Sequence, residues 1–354
     1  MRIAGIAMTA AVALGLAAGA GTAQADTFNF RVAAGHPPGI IYVALMQKNF
    51  VPGLKKKLEA MGHTANFNEA YGGSLVKVAE TLEGVKDGIV DIGAYCVCFE
   101  PSNLPLANWS LWLPFDPPTG TMAMKLGRAV HNSEPYMSAV YETFNQKLLG
   151  LSGTDNYGLW TTFDWKSVAD LKGQKMGAAG PNLPWVEKVG MVPVQLTAPE
   201  AYQAMLTGVS KGMILFPFDG VGMKYYEPAK YYTITNFGAK STLSLTVNID
   251  AFKKLPAPVQ QAIMEAGKEW EAASGPFIDE TGKTSLALVT QNGANVRTIS
   301  PEAAQAWAEA LRDWPNEKAK EADAKGVPGS KVMKFAIDEA ERLGHKWPVK
   351  YPIK

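Results

Sequence analysis

A carboxylate set beside aromatic rings can hold a cation, and this sequence offers that pairing at the ends of three apolar runs. The first is Tyr95, Phe99 and Glu100, the second Asp155, Asn156, Tyr157 and Trp160, and the third Phe216, Phe218 and Asp219. Each ring face over an ammonium group is worth ~0.5–2 kcal/mol. Trp185 could add a further face, and His36, in a Gly-His-Pro-Pro-Gly loop, could meet a ligand there. Taken singly, the aromatics also serve as interior packing, Glu100 and Asp219 as solvent-facing or helix-capping acids, and His36 as a solvated loop residue. Catalysis has less to draw on. There is no H-E-x-x-H, no P-loop and no G-x-G-x-x-G after a strand, and histidines 36, 63, 131 and 345 are scattered. Cys96 and Cys98 are expected as buried free thiols, because a bridge across one residue of a strand is strained and the pair lacks further zinc ligands. No metal or cofactor is expected.

The elements that would position these groups alternate between strand and helix. Residues 28–34 read as a strand, 40–61 as a helix and 64–70 as a second strand. Ser74 is expected to cap a helix carrying Leu75, Val78, Ala79, Leu82 and Val85 on one stripe, followed by a strand over 89–99. Further strands are predicted over 148–154, 174–179 and 212–218, with a helix over 199–208; strands 231–235 and 241–248 return the chain to the first unit. Val259, Ala262, Ile263, Ala266, Gly267 and Trp270 form the core stripe of an unusually long helix that continues past Pro276, and Ser300-Pro301 starts another. This is an α/β chain, with mostly parallel sheets whose ligands bind beyond the carboxyl ends of the strands. The expected domains are 26–150 plus 238–257, and 151–237, joined by a bridging helix over 258–290, with a helical segment over 291–354 packed on both.

The 354 residues, 47% hydrophobic and 19% charged, suit about two domains and exclude disorder as a global description. Beyond Arg2 there are 33 basic and 33 acidic residues. With no basic excess to neutralise phosphates, a nucleic-acid-binding role is excluded. Arg2, the apolar stretch 3–20 and the small-residue pattern Ala23-Gln24-Ala25 read as a cleaved export signal over 1–25. No later segment has the ~20 apolar residues that span a bilayer.

The order of segments resembles the extracytoplasmic solute receptors of TRAP-type transporters, the C4-dicarboxylate-receptor-like family. The resemblance is carried by Tyr71-Gly72-Gly73-Ser74-Leu75, residues 82–91, Leu113-Pro114-Phe115, Asp170-Leu171-Lys172-Gly173-Gln174-Lys175, residues 207–212 and residues 226–232. It implies a two-domain periplasmic solute-binding fold with an interdomain cleft, a long bridging helix, and delivery of a small solute to small and large membrane permease subunits. Members usually carry an arginine after the D-L-K-G-x-K element, which grips a carboxylate; here the sequence reads Met176-Gly177-Ala178. A second basic position upstream is occupied by Tyr157-Gly158-Leu159-Trp160, and Asn or Gln positions by residues 213–218.

Without an arginine, burying a carboxylate is costly, whereas acids and rings suit an ammonium group. The expectation is a monomeric, non-enzymatic receptor for a small amine or amino alcohol. Its rivals are a receptor for a neutral aromatic or a carboxylate held at helix N-termini, an exported enzyme using His36 or Glu100, and a sensory subunit.

Overall fold

The structure, a computed structural model, describes residues 25–354; the expected export signal lies outside them but for Ala25. In chain order the strands are β1 Thr27–Ala34, β2 Thr64–Tyr71, β3 Ile92–Cys96, β4 Gln146–Thr154, β5 Gly158–Thr161, β6 Lys175–Ala178, β7 Val192–Gln195, β8 Gly212–Leu215, β9 Tyr231–Ile234, β10 Lys240–Asn248 and β11 Asn295–Thr298. They form two sheets, of order β2-β1-β3-β10-β4 and β11-β9-β5-β8-β6-β7. Each sheet is the floor of a lobe. In the first, β1 runs parallel to β2 and β3, while β10 enters antiparallel between β3 and β4. β10 is buried along its whole length, so its hydroxyls need partners: Ser244 Oγ meets the Tyr141 hydroxyl at 2.7 Å, and Thr246 Oγ1 donates to Gln146 Oε1 at 2.6 Å.

The chain crosses between lobes after β4 and again before β10. Asn156 ties these crossings together, its Oδ1 accepting from Gly238 N–H at 3.0 Å and its Nδ2 donating to Asn236 Oδ1 at 3.2 Å. The helix Ala257–Gln291, 35 residues with Pro276 inside it, spans both lobes. It packs on β4, where Ser274 Oγ donates to Ser152 Oγ at 2.9 Å. Its Asp279 carboxylate accepts from Gly120 N–H at 2.6 Å and Thr121 N–H at 3.1 Å, neutralising the start of helix Gly120–Ser133. Two residues earlier, Phe277 meets Phe218 of the second lobe edge-on, ring centroids 6.4 Å apart.

Several elements differ from the sequence reading: β5 and β7 were not expected, β8 stops at Leu215 where a strand to 218 was expected, and the chain departs from it in three further places. The helix expected from Ser74 begins only at Thr81, after a short turn Val78–Glu80, because Val78's backbone lies so close to Gly35 that even a methyl there would collide. The apolar run 89–99 yields only the five residues of β3 before Val97–Phe99 winds into a 3-10 turn. That turn contracts the chain: Cys96 and Cys98 sit 5.1 Å apart Cα to Cα and are joined as a disulfide, where strand geometry led to an expectation of free thiols. Finally, β11, inside the segment expected to be helical, adds a parallel edge strand to β9.

Candidate functional site

The carboxyl ends of β1, β3, β6 and β8 face one another across the gap between the lobes, and the loops beyond them enclose a cavity of about 50 Å³. From the first lobe come His36, Tyr42, the Cys96–Cys98 bridge, Phe99 and Thr154; from the second, Tyr157, Asn182, Phe216 and Asp219, with aliphatic side chains between. No lysine or arginine lines it.

Asp219 is its one acid. Phe216 ends the apolar run of β8 in extended backbone and Pro217 starts the helix Pro217–Gly222, which turns Asp219 inward in the first turn. Its Oδ1 accepts from Ile41 N–H at 3.0 Å, so an acid of one lobe holds the start of helix Ile41–Leu45 of the other. The residue is 2% exposed. Burial pushes its pKa well above the usual carboxylate range and the nearby Asp155 adds to the rise, while the Ile41 bond opposes it. Tyr42 lies within reach of the same charge, and its hydroxyl meets His36 Nδ1 at 3.1 Å. Burial drives the His36 imidazole down to about 4, leaving it neutral at pH 7. The second-lobe wall is aromatic: Tyr157 stands edge-on to Phe216, centroids 5.1 Å apart, and to Trp185 at 5.5 Å.

Of the residues singled out in the sequence, His36, Phe99, Tyr157, Phe216 and Asp219 meet in this cavity, together with Cys96 and Cys98; Tyr95, Glu100, Asp155, Asn156, Trp160, Trp185 and Phe218 lie outside its lining. Tyr95 projects from the opposite face of β3 into a separate cluster with Leu82, Val97 and Tyr141, its hydroxyl donating to Gln146 Oε1 at 2.8 Å. Glu100 accepts from Asn103 Nδ2 at 2.9 Å, its pKa raised by burial. Asp155 stands against Gly282 of the long helix; its Oδ1 accepts from Asn156 N–H at 2.6 Å, its buried Oδ2 has no partner, and burial pushes it up to about 7. Asn156 is the tie between crossings. Trp160 is fully buried within the second lobe against Tyr232 and Tyr225. Trp185 lies behind Tyr157, donating from Nε1 to Leu111 C=O at 3.2 Å, and Phe218 turns to the long helix. Tyr42 and Asn182 were missed. Both follow the carboxyl end of a strand, β1 and β6, and that position was the available signal.

Two other features compete for attention. A larger open groove of about 1060 Å³ lies along the long helix, but its Arg128 pairs with Glu271 and its Arg342 with Glu339. Residues 208–212 have the G-x-S-x-G spelling of a hydrolase nucleophile, yet Ser210 is fully buried before β8, not on a strand-to-helix turn, and its hydroxyl serves Gly212 C=O and Gly177 N–H.

The family model of the bacterial extracellular solute-binding proteins, family 7, matches residues 47–321. The chain belongs to this family. Among relatives of this family 7 chain, the monocarboxylate 2-oxoacid-binding periplasmic protein of Nostoc sp. is 24% identical over 239 residues, 66% of this chain and 65% of that one. The C4-dicarboxylate-binding periplasmic protein DctP of Rhodobacter capsulatus is 28% identical over 145 residues, 41% and 43% of the two chains. The family 7 chain thus spans less than two thirds of the length of these curated relatives. In fold it matches a TRAP solute-binding protein from Rhodoferax ferrireducens in complex with benzoate, with a TM-score of 0.80 at 16% identity over 90% of this chain and 99% of that one. A Bordetella pertussis extracytoplasmic solute receptor binding pyroglutamic acid gives 0.77 at 22% identity, over 87% and 99%. In the segments where the resemblance implies basic side chains, residues 176–178 and 157–160 of this family 7 chain are all buried.

Proposed function

We propose that the chain is the periplasmic receptor of a TRAP-type transporter, exported by residues 1–25, acting as a monomer, and delivering a compact ammonium-bearing solute to small and large membrane permease subunits. Family membership and the shared fold support the receptor role. For the solute, the reading rests on one observation: the cavity holds a single buried acid, Asp219, and no lysine or arginine. An ammonium group brought to Asp219 ionises it and supplies the counter-charge that burial withholds, while Tyr42, Phe99, Tyr157 and Phe216 offer ring faces.

A second reading has its own support. The solved neighbours bind benzoate and pyroglutamic acid, and an Asp219 kept protonated by burial can donate a hydrogen bond to a carboxylate. The two readings differ in the sign of their pH dependence. Binding an ammonium group expels the Asp219 proton, so affinity rises with pH, by up to about tenfold per pH unit while the empty receptor holds that proton. Binding a carboxylate needs the proton, so affinity falls. Calorimetric titration of the mature protein with small amines and with aromatic acids between pH 5 and 9 decides between them. Tight binding of acids alone, weakening as pH rises, would falsify the amine reading.

A further inference from the structure

We infer that Asn182 is a second polar anchor of the cavity and that the solute is bifunctional, presenting an ammonium group to Asp219 and, a few bonds away, an oxygen acceptor to the Asn182 amide. This inference rests on the amine reading above. Asn182 lines the cavity, is 2% exposed, and its Nδ2 has no hydrogen-bond partner. An amide N–H stranded in the interior costs ~1–3 kcal/mol, and one held at a ligand cavity is satisfied by what the cavity takes in.

The position is rigid. Asn182 closes the 3-10 turn Gly180–Asn182 just after β6, its N–H donating to Ala179 C=O at 3.1 Å. Pro181 precedes it, and helix Leu183–Glu187 follows, with Pro184 in its first turn and Trp185 anchored on the Leu111 carbonyl. Asn182 and Asp219 line the same small cavity, so one molecule can meet both; the Tyr157 hydroxyl stands near the Asn182 amide, but no hydrogen bond of normal geometry joins it to Nδ2. A cavity of about 50 Å³ leaves no room for two occupants. A solute lacking an acceptor would leave the amide stranded, and sites of this kind discriminate strongly against such analogues. The class indicated is a short amine with a hydroxyl or carbonyl oxygen.

The test compares ethanolamine with ethylamine, of nearly the same size but without the oxygen, by calorimetry on the mature protein and on Asn182→Leu, Asn182→Ala and Asp219→Asn. Wild type is expected to prefer ethanolamine by about tenfold or more. Asn182→Leu, nearly isosteric, should erase that preference by weakening ethanolamine alone, and Asp219→Asn should weaken both amines. Asn182→Ala carries the test if the leucine variant does not fold, since it removes the donor with a smaller apolar side chain and should weaken ethanolamine relative to ethylamine, since only ethanolamine carries the acceptor that the lost amide served. Equal affinities in wild type, or a preference unchanged by both Asn182 variants, would overturn the inference while leaving the amine reading intact. Failure of either amine to bind wild type would overturn the amine reading, and the inference with it.

Discussion

Asp219 and Asp155 are acids of similar burial with opposite surroundings. Asp219 faces a cavity and a backbone donor of the other lobe; Asp155 Oδ2 faces the long helix at Gly282 and has no partner. Burial raises the Asp155 carboxyl from an ordinary 3.8 to about 7, so between those values the folded protein binds a proton that the unfolded chain has released. Stability from this group is therefore greatest below pH 4 and is lost as pH rises toward 7. Burial of His36 and His131 acts in the opposite sense over part of that range, since both are pushed down to about 4. The clean observable is a difference. Asp155→Asn is expected to gain stability relative to wild type progressively from pH 4 to 7, measured by urea unfolding at each pH, with little difference at pH 4. At this scale the sequence was partly legible: an acid three residues past an aromatic at a strand end pointed to Phe216 and Asp219. Trp160 and Tyr95 were out of reach, because on a strand the side chain alternates faces and residue type does not say which face is the cleft.

The cavity's edges are set by turns, and the turns were the least legible elements. The run 89–99 has the composition of one continuous strand, and nothing in it marks the wind at Val97 that bends Cys98 back to Cys96. That turn has a partner in the other lobe. Gly180, at φ +50°, approaches the Cys98 carbonyl so closely that a methyl on it would collide. The collision exists only when the lobes meet. Gly180→Ala is thus expected to weaken solute binding by about tenfold, from overpacking of ~1–3 kcal/mol, beyond the loss of ~1 kcal/mol in solute-free stability that the positive φ imposes with or without closure. Isothermal titration beside thermal unfolding separates the two effects. Equal losses in both would mean that the contact serves folding and not closure. The long helix, by contrast, was readable from a stripe of apolar residues at helical spacing, because an element of that length averages over local exceptions.

Across the whole molecule, a buried charge pair of the first lobe, at the start of β10, reaches the second lobe through one ring. Lys240 Nζ donates to Leu113 C=O at 2.6 Å, lies 3.5 Å from Asp116 Oδ2, and sits 5.2 Å from the centre of the Trp185 ring in the second lobe. Burial pushes Lys240 down to about 8 and Asp116 up to about 6, so both are charged near pH 7. Lys240→Met should cost about 3–5 kcal/mol by stranding Asp116, and adding Asp116→Leu should restore a substantial part of it. Chemical denaturation of the two variants measures this; no recovery in the double variant would mean that the lysine matters for its carbonyl contact instead.

The placement of β10 also bears on how the chain comes to be folded. The middle of the first sheet is missing until residues 240–248 have been made, roughly 140 residues after β3. A nascent chain ending near residue 150 has β1 to β4 but no strand to join β3 to β4, and contacts so distant in sequence form slowly. Such a chain cannot lock into a premature globule. Under the export proposed above, a late strand of this kind would keep the polypeptide threadable until most of it has been synthesised.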